Sequence, residues 1–291
     1  MEISGKTGLT GLIGCPVSHS ISPKMHNLAF QALGLDYVYL AFDLGHADFR
    51  KAIEGLREIG ILGFNVTMPY KIKILDLMDE LTPAADLAGS CNTVIAKDGR
   101  LIGHTTDGIG FMHSVQDFGH DIIGKKMSVL GAGGAAAPII SQAALDGMRE
   151  IDIFRRKRPE AFAKTIAFAD KVQHTTGCTV HVYDFADTGQ MRKSFAESAI
   201  LVNATNVGMA PDMNACPIPD PSLLHPDLIV YDIIYNPRRT MLFEMAEKSG
   251  CPTHNGESMI LFQGAASFQC WTGKEMPVDL IRSQIITTTL A

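Results

Sequence analysis

Short apolar runs alternate with helix-like segments through the first hundred residues of the chain. The apolar runs predict strands at 9–14, 37–42, 62–67, 92–96 and 100–104. Ser22-Pro23 predicts the start of a first helix, with serine as its cap and Gly34 at its end, and a second helix is predicted over 47–59. Lys97-Asp98-Gly99 separates the last two strands and is typical of a hairpin. The alternation indicates an α/β domain with a mostly parallel sheet.

The same rhythm resumes after a polar bridge at His120-Asp121. Strands are predicted at 127–130, 151–154, 180–182, 200–203 and 228–232, with helical segments between most of them. This order is typical of a doubly wound, Rossmann-type sheet that binds a nucleotide.

A glycine-rich turn joins the strand at 127–130 to the helix that follows it. From Ser128 to Ala137 the sequence is SVLGAGGAAA, an apolar strand, a glycine-rich turn and a helix start made of small residues. Such a turn brings bare backbone N–H groups, at the positive end of a helix, against a pyrophosphate. Gly131 allows the tight turn and Gly133 lets the backbone approach phosphate. A turn without a ligand is the alternative, but the position between strand and helix favours a dinucleotide site.

The strand at 151–154 is followed by a run of cations. They are Arg155, Arg156, Lys157 and Arg158. In a dinucleotide-binding sheet this strand end lies beside the adenosine ribose, where an acidic residue selects NAD and arginine holds the 2′-phosphate of NADP. Asp152 lies inside the strand, too early to reach the ribose. A solvated charged loop is the alternative. The cluster favours NADP(H), with NAD as a second option.

The C-terminal segment predicts two more helices. One is a long amphipathic helix over 259–271, and the other follows Pro277. Because the second sheet is complete without them, we expect both helices to return to the first domain. We therefore predict two α/β domains, a substrate-binding domain over 1–119 that 256–291 completes, and an NADP(H)-binding domain over 120–255.

A lysine and an aspartate stand at strand ends in the first domain. In Asn65-Val-Thr-Met-Pro-Tyr-Lys71 a proline follows a strand and is predicted to start a helix whose first turn carries Lys71. Asp107 follows the strand at 100–104. A surface cation and a helix N-cap are their ordinary interpretations. In a cleft, a buried lysine can instead act as a general acid and base, with Asp107 orienting its ammonium.

Three other features of the sequence concern polar residues. Ser20 and Ser22 lie at a helix N-terminus and would suit a small carboxylate. His19 and His26 are expected to be structural hydrogen-bonding residues. Gln263 interrupts the apolar face of the C-terminal helix, so we expect it to have a partner.

Composition narrows the compartment and the partners. The net charge of −6 gives no general attraction to nucleic acid or to an anionic membrane. No apolar run has the length of a membrane span, and the N-terminus lacks the pattern of a signal peptide. The six cysteines are scattered without zinc-like spacing, so we expect reduced thiols, no metal site and a cytoplasmic location.

Seven patterns, in order along nearly the whole chain, resemble those of the shikimate dehydrogenase family, most strongly its quinate/shikimate branch. They are GxPxxHSxSPxxHN at 14–27, NVTxPxK at 65–71, GAxNT at 89–93, NTDGxG at 105–110, NATxxGM at 203–209, YxPxxT at 235–240 and GxxMxxxQGA at 256–265. The resemblance implies reversible hydride transfer between a ring hydroxyl carbon of shikimate and the nicotinamide of NADP, a reaction of aromatic amino acid biosynthesis (the chorismate pathway).

The resemblance also implies roles for individual residues. Lys71 would move the hydroxyl proton, with Asp107 as its partner. The implied substrate residues are Ser20, Ser22, Thr67, Lys71, Asn92, Asp107, Tyr235 and Gln263. The implied cofactor residues are Gly131, Ala132, Gly133, Gly134, Ala135, Arg155, Arg156, Lys157, Arg158, Thr205, Asn206, Met209, Ile233, Gly256 and Met259.

The chain departs from the family's patterns at three places. Thr105 replaces an asparagine, Asn206 stands where serine is common, and Arg155 and Arg158 replace an asparagine and an acidic residue. The last departure supports NADP(H). Quinate is a candidate second substrate, since a pocket that tolerates an extra hydroxyl discriminates only about a hundredfold. Two alternatives stay open: a dehydrogenase of an aminoshikimate-like acid, and a non-catalytic NADP(H)-binding regulator. A homodimer also stays open.

Overall fold

The chain forms two compact units in a computed structural model that describes residues 2–286. The first unit contains the residues up to Gly110 and those from Ile260 onward, and the second unit is Phe111–Met259. The division falls inside two helices, α4 (Asp107–Asp117) and α9 (Glu257–Thr272). The assignment of substrate binding to 1–119 with 256–291, and of NADP(H) binding to 120–255, stays a prediction.

The first unit is built on a six-stranded mixed sheet. Its strands are β1 (Gly8–Gly14), β2 (Tyr37–Asp43), β3 (Gly63–Val66), β4 (Glu80–Leu81), β5 (Thr93–Lys97) and β6 (Arg100–His104). They lie in the order β2-β1-β3-β5-β6-β4. β1 is parallel to β2 and β3, while β5 is antiparallel to β3 and to β6. The α/β prediction is confirmed; β4 escaped it because two residues carry no periodic signal.

Helices cover both faces of this sheet. They are α1 (Ser22–Ala32), α2 (Phe49–Glu58), α3 (Pro83–Ala88), the first turn of α4, α9 and α10 (Val278–Ile281). Helices α1, α9 and α10 share one buried cluster, and α2 contributes to another. Met25 and Phe30 of α1 pack with Leu261 and Phe268 of α9 in one buried cluster. The predicted return of the C-terminal helices to the first unit is therefore confirmed. A methyl group on Gly63 would lie 2.3 Å from the indole of Trp271, so the glycine lets α9 approach β3 closely.

Three local predictions about this unit are wrong. Ser22 does not cap α1 through its side chain; instead the Ser20 hydroxyl accepts a hydrogen bond from the Ser22 N–H at 3.2 Å. Lys71 does not lie in the first turn of a helix, because residues 67–72 form turns and a 3₁₀ helix begins only at Lys73. His26 is not a hydrogen-bonding residue: within residues 2–286 neither of its ring nitrogens has a partner, and its ring stacks on Tyr39.

The second unit contains a parallel, doubly wound sheet. Its strands are β7 (Lys126–Leu130), β8 (Glu150–Arg155), β9 (Thr179–Asp184), β10 (Ile200–Asn203), β11 (Ile229–Asp232) and β12 (Thr253–His254). The order β12-β11-β10-β7-β8-β9 reverses direction between β7 and β10. The crevice at the carboxyl ends of those two strands is where such sheets bind ligands. The predicted Rossmann-type fold is confirmed.

Helices connect these strands in the second unit. They are α5 (Ala136–Leu145), α6 (Pro159–Thr176), α7 (Thr188–Glu197) and α8 (Met241–Lys248). Phe154 and Leu201 from the sheet pack with Phe195 of α7 and Leu242 of α8 in one buried cluster. In the part of the chain that the structure describes, no helix is both long and apolar enough to span a bilayer.

Candidate active site

The polar residues of the first unit converge on one edge of its sheet. β1 and β3 are parallel neighbours, so the loops after them, carrying Ser20 and Thr67, leave from the same edge. The antiparallel β5 begins at that edge, where Thr93 pairs with the end of β3. β6 ends there too, three residues before Asp107. Strand direction thus gathers segments that are far apart in sequence.

Lys71 and Asp107 form an ion pair at this edge. The Lys71 Nζ donates to Asp107 Oδ2 at 2.6 Å, and the two side chains are 22% and 10% exposed. Asp107 is the first residue of α4, where the helix dipole favours a carboxylate. Its oxygens accept from side chains, while the first-turn amide of Gly110 bonds to the Thr106 carbonyl. The Asp107 carboxylate therefore orients the Lys71 ammonium. A helix N-cap by itself would not require this contact.

Asn92 holds the second oxygen of Asp107. Its Nδ2 donates to Asp107 Oδ1 at 2.8 Å and to Gln263 Oε1 at 3.1 Å. Its Oδ1 accepts from the backbone N–H of Thr106 at 2.7 Å. Because a backbone N–H can only donate, this bond fixes which end of the amide faces the carboxylate. Gln263 has a polar partner, as the sequence predicts.

A buried layer of hydroxyl and amide groups lies next to Asn92 and is joined by hydrogen bonds. The Ser267 hydroxyl lies 2.9 Å from Thr93 Oγ1 and 3.1 Å from Thr106 Oγ1, and accepts from Asn65 Nδ2 at 2.9 Å. The Tyr39 hydroxyl donates to Asn65 Oδ1 at 2.8 Å. Sequence reasoning missed this layer. The available signal was that Ser267 follows Gln263 by one helical turn on α9, and so lies on the same helix side.

The turn after β7 has the shape that a pyrophosphate requires. Gly131 has φ of +102°, and a methyl group on it would lie 2.9 Å from the Ala204 carbonyl oxygen. No atom lies within 4 Å of a methyl group built on Gly133 or Gly134, and both are exposed just ahead of α5. The turn thus faces open space at a helix N-terminus, which fits an anionic group.

A groove of about 400 Å³ runs beside this turn. From the predicted cofactor residues it brings together Gly131, Ala132, Gly133, Arg155, Arg156, Arg158, Thr205 and Asn206. Phe185, Cys216 and Pro217 also line it and were not predicted, because they come from two loops that carry no motif. A second cavity of about 610 Å³ is lined by Arg155, Arg158 and Lys164, among others. Lys157 is exposed and lines neither cavity. The lining fits a dinucleotide with an extra phosphate.

Gly256 and Ile233 form a close contact elsewhere in the second unit. A methyl group on Gly256 would lie 2.0 Å from the Ile233 carbonyl oxygen. Ile233 follows Asp232, whose carboxylate accepts from Thr240 Oγ1 at 2.6 Å and from Asn203 Nδ2 at 3.0 Å. Burial raises the pKa of the Asp232 carboxyl to about 6, although these hydrogen bonds lower it. The network fixes the segment after β11.

The other predicted residues of the second unit stand near this segment or beyond it. Tyr235 is half-buried after β11, Met259 is buried in α9, and Met209 is 41% exposed. Ala135 immediately precedes α5. Their predicted contacts with substrate or cofactor stay predictions.

Asp152 is buried and belongs to an ion cluster, so its carboxylate is not available to bind the ribose. Lys126, 4% exposed, contacts Asp152 and Glu150 at 2.8 Å each and Glu197 at 2.9 Å. Desolvation lowers the pKa of Lys126, but the hydrogen bonds to the three carboxylates outweigh it and raise the pKa overall. Glu150, Asp152 and His181 also approach one another within 4.8 Å. Since the Lys126 ammonium contacts Glu150 and Asp152 directly, we interpret this group as an ion cluster.

Both ends of the chain match models of one family. The model described as the shikimate dehydrogenase substrate binding domain matches residues 12–94, and the shikimate 5′-dehydrogenase C-terminal domain matches residues 256–286. A shikimate dehydrogenase (NADP(+)) of Listeria monocytogenes is 50% identical over 281 residues, which cover 97% of this chain and 96% of that protein. A quinate/shikimate dehydrogenase of Escherichia coli is 43% identical over 282 residues, covering 97% and 98%.

A solved structure agrees with these relatives. The crystal structure of shikimate 5-dehydrogenase from Listeria monocytogenes, in complex with shikimate and NAD, superposes with a TM-score of 0.94 at 49% identity, covering 97% of this chain and 98% of that one. Similarity of this extent spans both units and all seven sequence patterns. This chain belongs to the shikimate dehydrogenase family.

Proposed function

We propose that this protein oxidises shikimate to 3-dehydroshikimate reversibly, with NADP(H) as its preferred cofactor. One observation carries the proposal: the Lys71 ammonium and the Asp107 carboxylate form a largely buried ion pair inside a ring of hydrogen-bonding side chains. A lysine held in this way can act as the acid and base in a reaction that must move a hydroxyl proton. The relatives named for shikimate, with NADP(+) or NAD, support the same activity.

Lys71 carries the proton in this proposal. In the oxidation its neutral amine takes the hydroxyl proton, and in the reduction its ammonium returns it to the carbonyl oxygen. Asp107 Oδ2 holds the nitrogen in place, and Asn92 fixes the direction of the carboxylate. The groove beside the turn after β7 would hold NADP⁺, which would supply the acceptor for the hydride of the ring carbon. We assign Asn92 and Gln263, which bond to each other at 3.1 Å, to ring hydroxyls of the substrate.

The substrate carboxylate is assigned to Ser20 and Ser22. Both are half-buried beside the N-terminus of α1, where N–H groups and hydroxyls favour an anion. Thr67, the residue after β3, is assigned to a ring hydroxyl of the substrate. Tyr235, in the second unit, is a further proposed substrate residue. Quinate is a proposed second substrate, supported by the quinate/shikimate relative.

The turn from Gly131 to Ala135 is assigned to the pyrophosphate, and the exposed cations Arg156 and Arg158 to the 2′-phosphate of NADP(H). Arginine in place of an acidic residue at position 158 supports NADP(H) over NAD(H).

We also propose that the enzyme works in the cytoplasm on small molecules, without nucleic acid or membrane partners. All six cysteines are free thiols, as is usual in a reducing compartment. The net charge of −6 offers no general attraction to polyanions.

Turnover of four substrate and cofactor combinations tests the activity. Shikimate and quinate are each offered with NADP⁺ and NAD⁺, and the reduced nicotinamide is followed by its absorbance. We expect the highest kcat/KM with shikimate and NADP⁺. Binding of NADPH without turnover of either acid would favour the regulator. If neither acid is turned over, an aminoshikimate-like acid is offered in a further assay, and its turnover would favour the other dehydrogenase.

The Lys71→Ala variant tests the proton-transfer role. We expect kcat to fall by about 10²–10⁴-fold, the usual contribution of a positioned acid or base, while the Kd for shikimate changes little. Lys73→Ala is the matched control, since Lys73 is a nearby exposed lysine in the same segment. A large loss of shikimate affinity with kcat preserved would remove Lys71 from this role.

A further inference from the structure

The guanidinium of Arg155 is turned inward, unlike those of its neighbours. Its Nη1 donates to the carbonyl oxygen of Ala132 at 3.2 Å and to Thr165 Oγ1 at 2.7 Å. Thr165 is 3% exposed in α6 and donates its own hydroxyl proton to the Ala161 carbonyl at 3.0 Å. The guanidinium therefore bridges the glycine-rich turn after β7 and the first turns of α6.

This bridge fixes the direction of the peptide unit between Ala132 and Gly133. A trans peptide is planar, so its C=O and N–H point in opposite directions. Because Arg155 holds the Ala132 carbonyl, the Gly133 N–H points away from the guanidinium. Gly133 is exposed and the space around it is open. The bridge thus presets an N–H donor of the turn that is assigned to the pyrophosphate.

Arg156 and Arg158 differ from Arg155 in their exposure. Both are exposed, whereas Arg155 is half-buried and held by two oxygen acceptors. Arg158 lines a cavity together with Lys164 and the half-buried Arg155. The cations after β8 therefore divide into one that holds the turn and others that remain available to a phosphate.

We propose that Arg155, held by Thr165, is a positioning residue for the pyrophosphate-binding turn and serves NADP(H) and NAD(H) equally. Discrimination between the two cofactors then belongs to the exposed cations, chiefly Arg158. The proposal rests on the proposed function, because it takes the turn as the site of a nicotinamide dinucleotide. The sequence predicts Arg155 to be one of the cations that bind the cofactor directly, and the proposal gives it a positioning role instead.

Binding of NADPH and NADH to the intact protein tests the proposal. The Kd for each is measured by titration calorimetry without substrate, for the wild type and for the variants Arg155→Ala, Thr165→Val, Thr165→Ser and Arg158→Ala. We expect Arg155→Ala to weaken both cofactors by about the same factor, on the order of tenfold, since a charge-assisted hydrogen bond is lost. Thr165→Val is expected to act in the same direction on both cofactors, and Thr165→Ser to restore the wild-type Kd.

Arg158→Ala is the contrasting variant, and we expect it to weaken NADPH alone. The turnover of bound enzyme adds a second readout: with saturating cofactor and shikimate, kcat of Thr165→Val should stay near the wild-type value while its KM for both cofactors rises. If Arg155→Ala does not fold, as judged by circular dichroism, the near-isosteric Thr165→Val carries the test by itself.

The outcomes separate the two proposals. Arg155→Ala weakening NADPH alone, or Thr165→Val leaving both Kd values unchanged, would overturn the positioning role. Wild-type protein that binds both dinucleotides but does not turn over shikimate would refute the proposed function and leave the positioning role standing. Wild-type protein that binds neither dinucleotide would overturn both.

Discussion

The ring of His26 is fully buried in the first unit and makes the stability of that unit depend on pH. Its centroid lies 4.4 Å from that of Tyr39, in a stacked geometry, and 5.3 Å from that of Trp271. Neither ring nitrogen has a hydrogen-bond partner in the part of the chain that the structure describes. Burial without a partner lowers the pKa of His26 to about 3, from 6.5 in a model peptide. The perturbation we consider is His26→Phe, which keeps an aromatic ring and removes the titration.

The sign of the effect follows from which state binds the proton. The pKa of His26 is lowered in the folded state, so the unfolded state takes up the proton first as the pH falls through 6.5. The stability is thus fully present above that pH and is lost progressively down to about pH 3. Between about pH 7.5 and about pH 5 the wild type should lose about 2 kcal/mol of unfolding free energy through this one residue. His26→Phe should lose none of it.

Urea unfolding followed by tryptophan fluorescence measures this difference. Trp271 is the only tryptophan of the chain and contacts the histidine, so its emission reports on the first unit. The quantity compared is the change in unfolding free energy between the two pH values, for wild type and variant. Any steric cost of the larger ring cancels, because it is present at both pH values. His46→Phe, at an exposed histidine, is the matched control and should keep the wild-type pH dependence.

The reasoning would be refuted if His26→Phe and the wild type lost the same unfolding free energy over this pH interval. Equal losses would mean that the folded protein protonates this ring near pH 6.5. That would require a polar partner at the ring nitrogens, and within residues 2–286 neither nitrogen has one.

Three other predictions concern Asp232, Ser267 and Gly256. The pKa of the Asp232 carboxyl is raised from 3.8 to about 6. The carboxyl therefore contributes to the unfolding free energy below pH 3.8, and this contribution is lost as the pH rises through 6. Asp232→Asn should remove about 1 kcal/mol of the difference in unfolding free energy, measured in urea, between pH 5 and pH 7. Ser267→Ala should lower kcat for shikimate about 3- to 10-fold without abolishing folding, because one hydroxyl under the site is lost; steady-state kinetics would show an unchanged kcat if the buried layer has no role. Gly256→Ala should lower the unfolding free energy by about 1–3 kcal/mol or more, because its methyl group overlaps the Ile233 carbonyl. Gly55→Ala, in open space on an exposed helix, should raise the unfolding free energy by up to about 1 kcal/mol. Thermal unfolding compares the two variants.

Local signals carried most of the fold prediction. Apolar runs located the longer strands of both sheets, and β10 begins and ends where the sequence places it, at 200 and 203. Glycine ended helices where a positive φ was needed, as at Gly34 and Gly60. Such features depend on a few adjacent residues, so the sequence displays them directly. The short strands β4 and β12 exist only because a neighbouring strand offers hydrogen bonds, and no local pattern marks them.

The wrong predictions for Ser22 and His26 share a different origin, since each depended on where a side chain points. The Ser20 hydroxyl accepts a hydrogen bond from the Ser22 N–H, and Ile21 takes the N-cap position of α1 in place of Ser22. His26 is polar by type but lies against aromatic rings that come from β2 and α9. The bond between Asn65 and Ser267 joins positions 202 residues apart, a distance over which spacing has no meaning. Thr165 was missed for the same reason, because only the fold brings it to Arg155.

Helix α9 shows why the stability and the chemistry of the first unit are linked. Leu261 and Phe268 on this helix enter the core beside α1, while Gln263 and Ser267, one turn apart, bond to the groups that orient Asn92. The core contacts set the height and rotation of the helix, and this rotation decides whether the two polar side chains reach their partners. A substitution that loosens the core should therefore reduce turnover before it unfolds the unit. Since the angle of the Asp107 carboxylate depends on Asn92, an error in the packing of α9 is transmitted through two hydrogen bonds to Lys71, the proposed proton carrier.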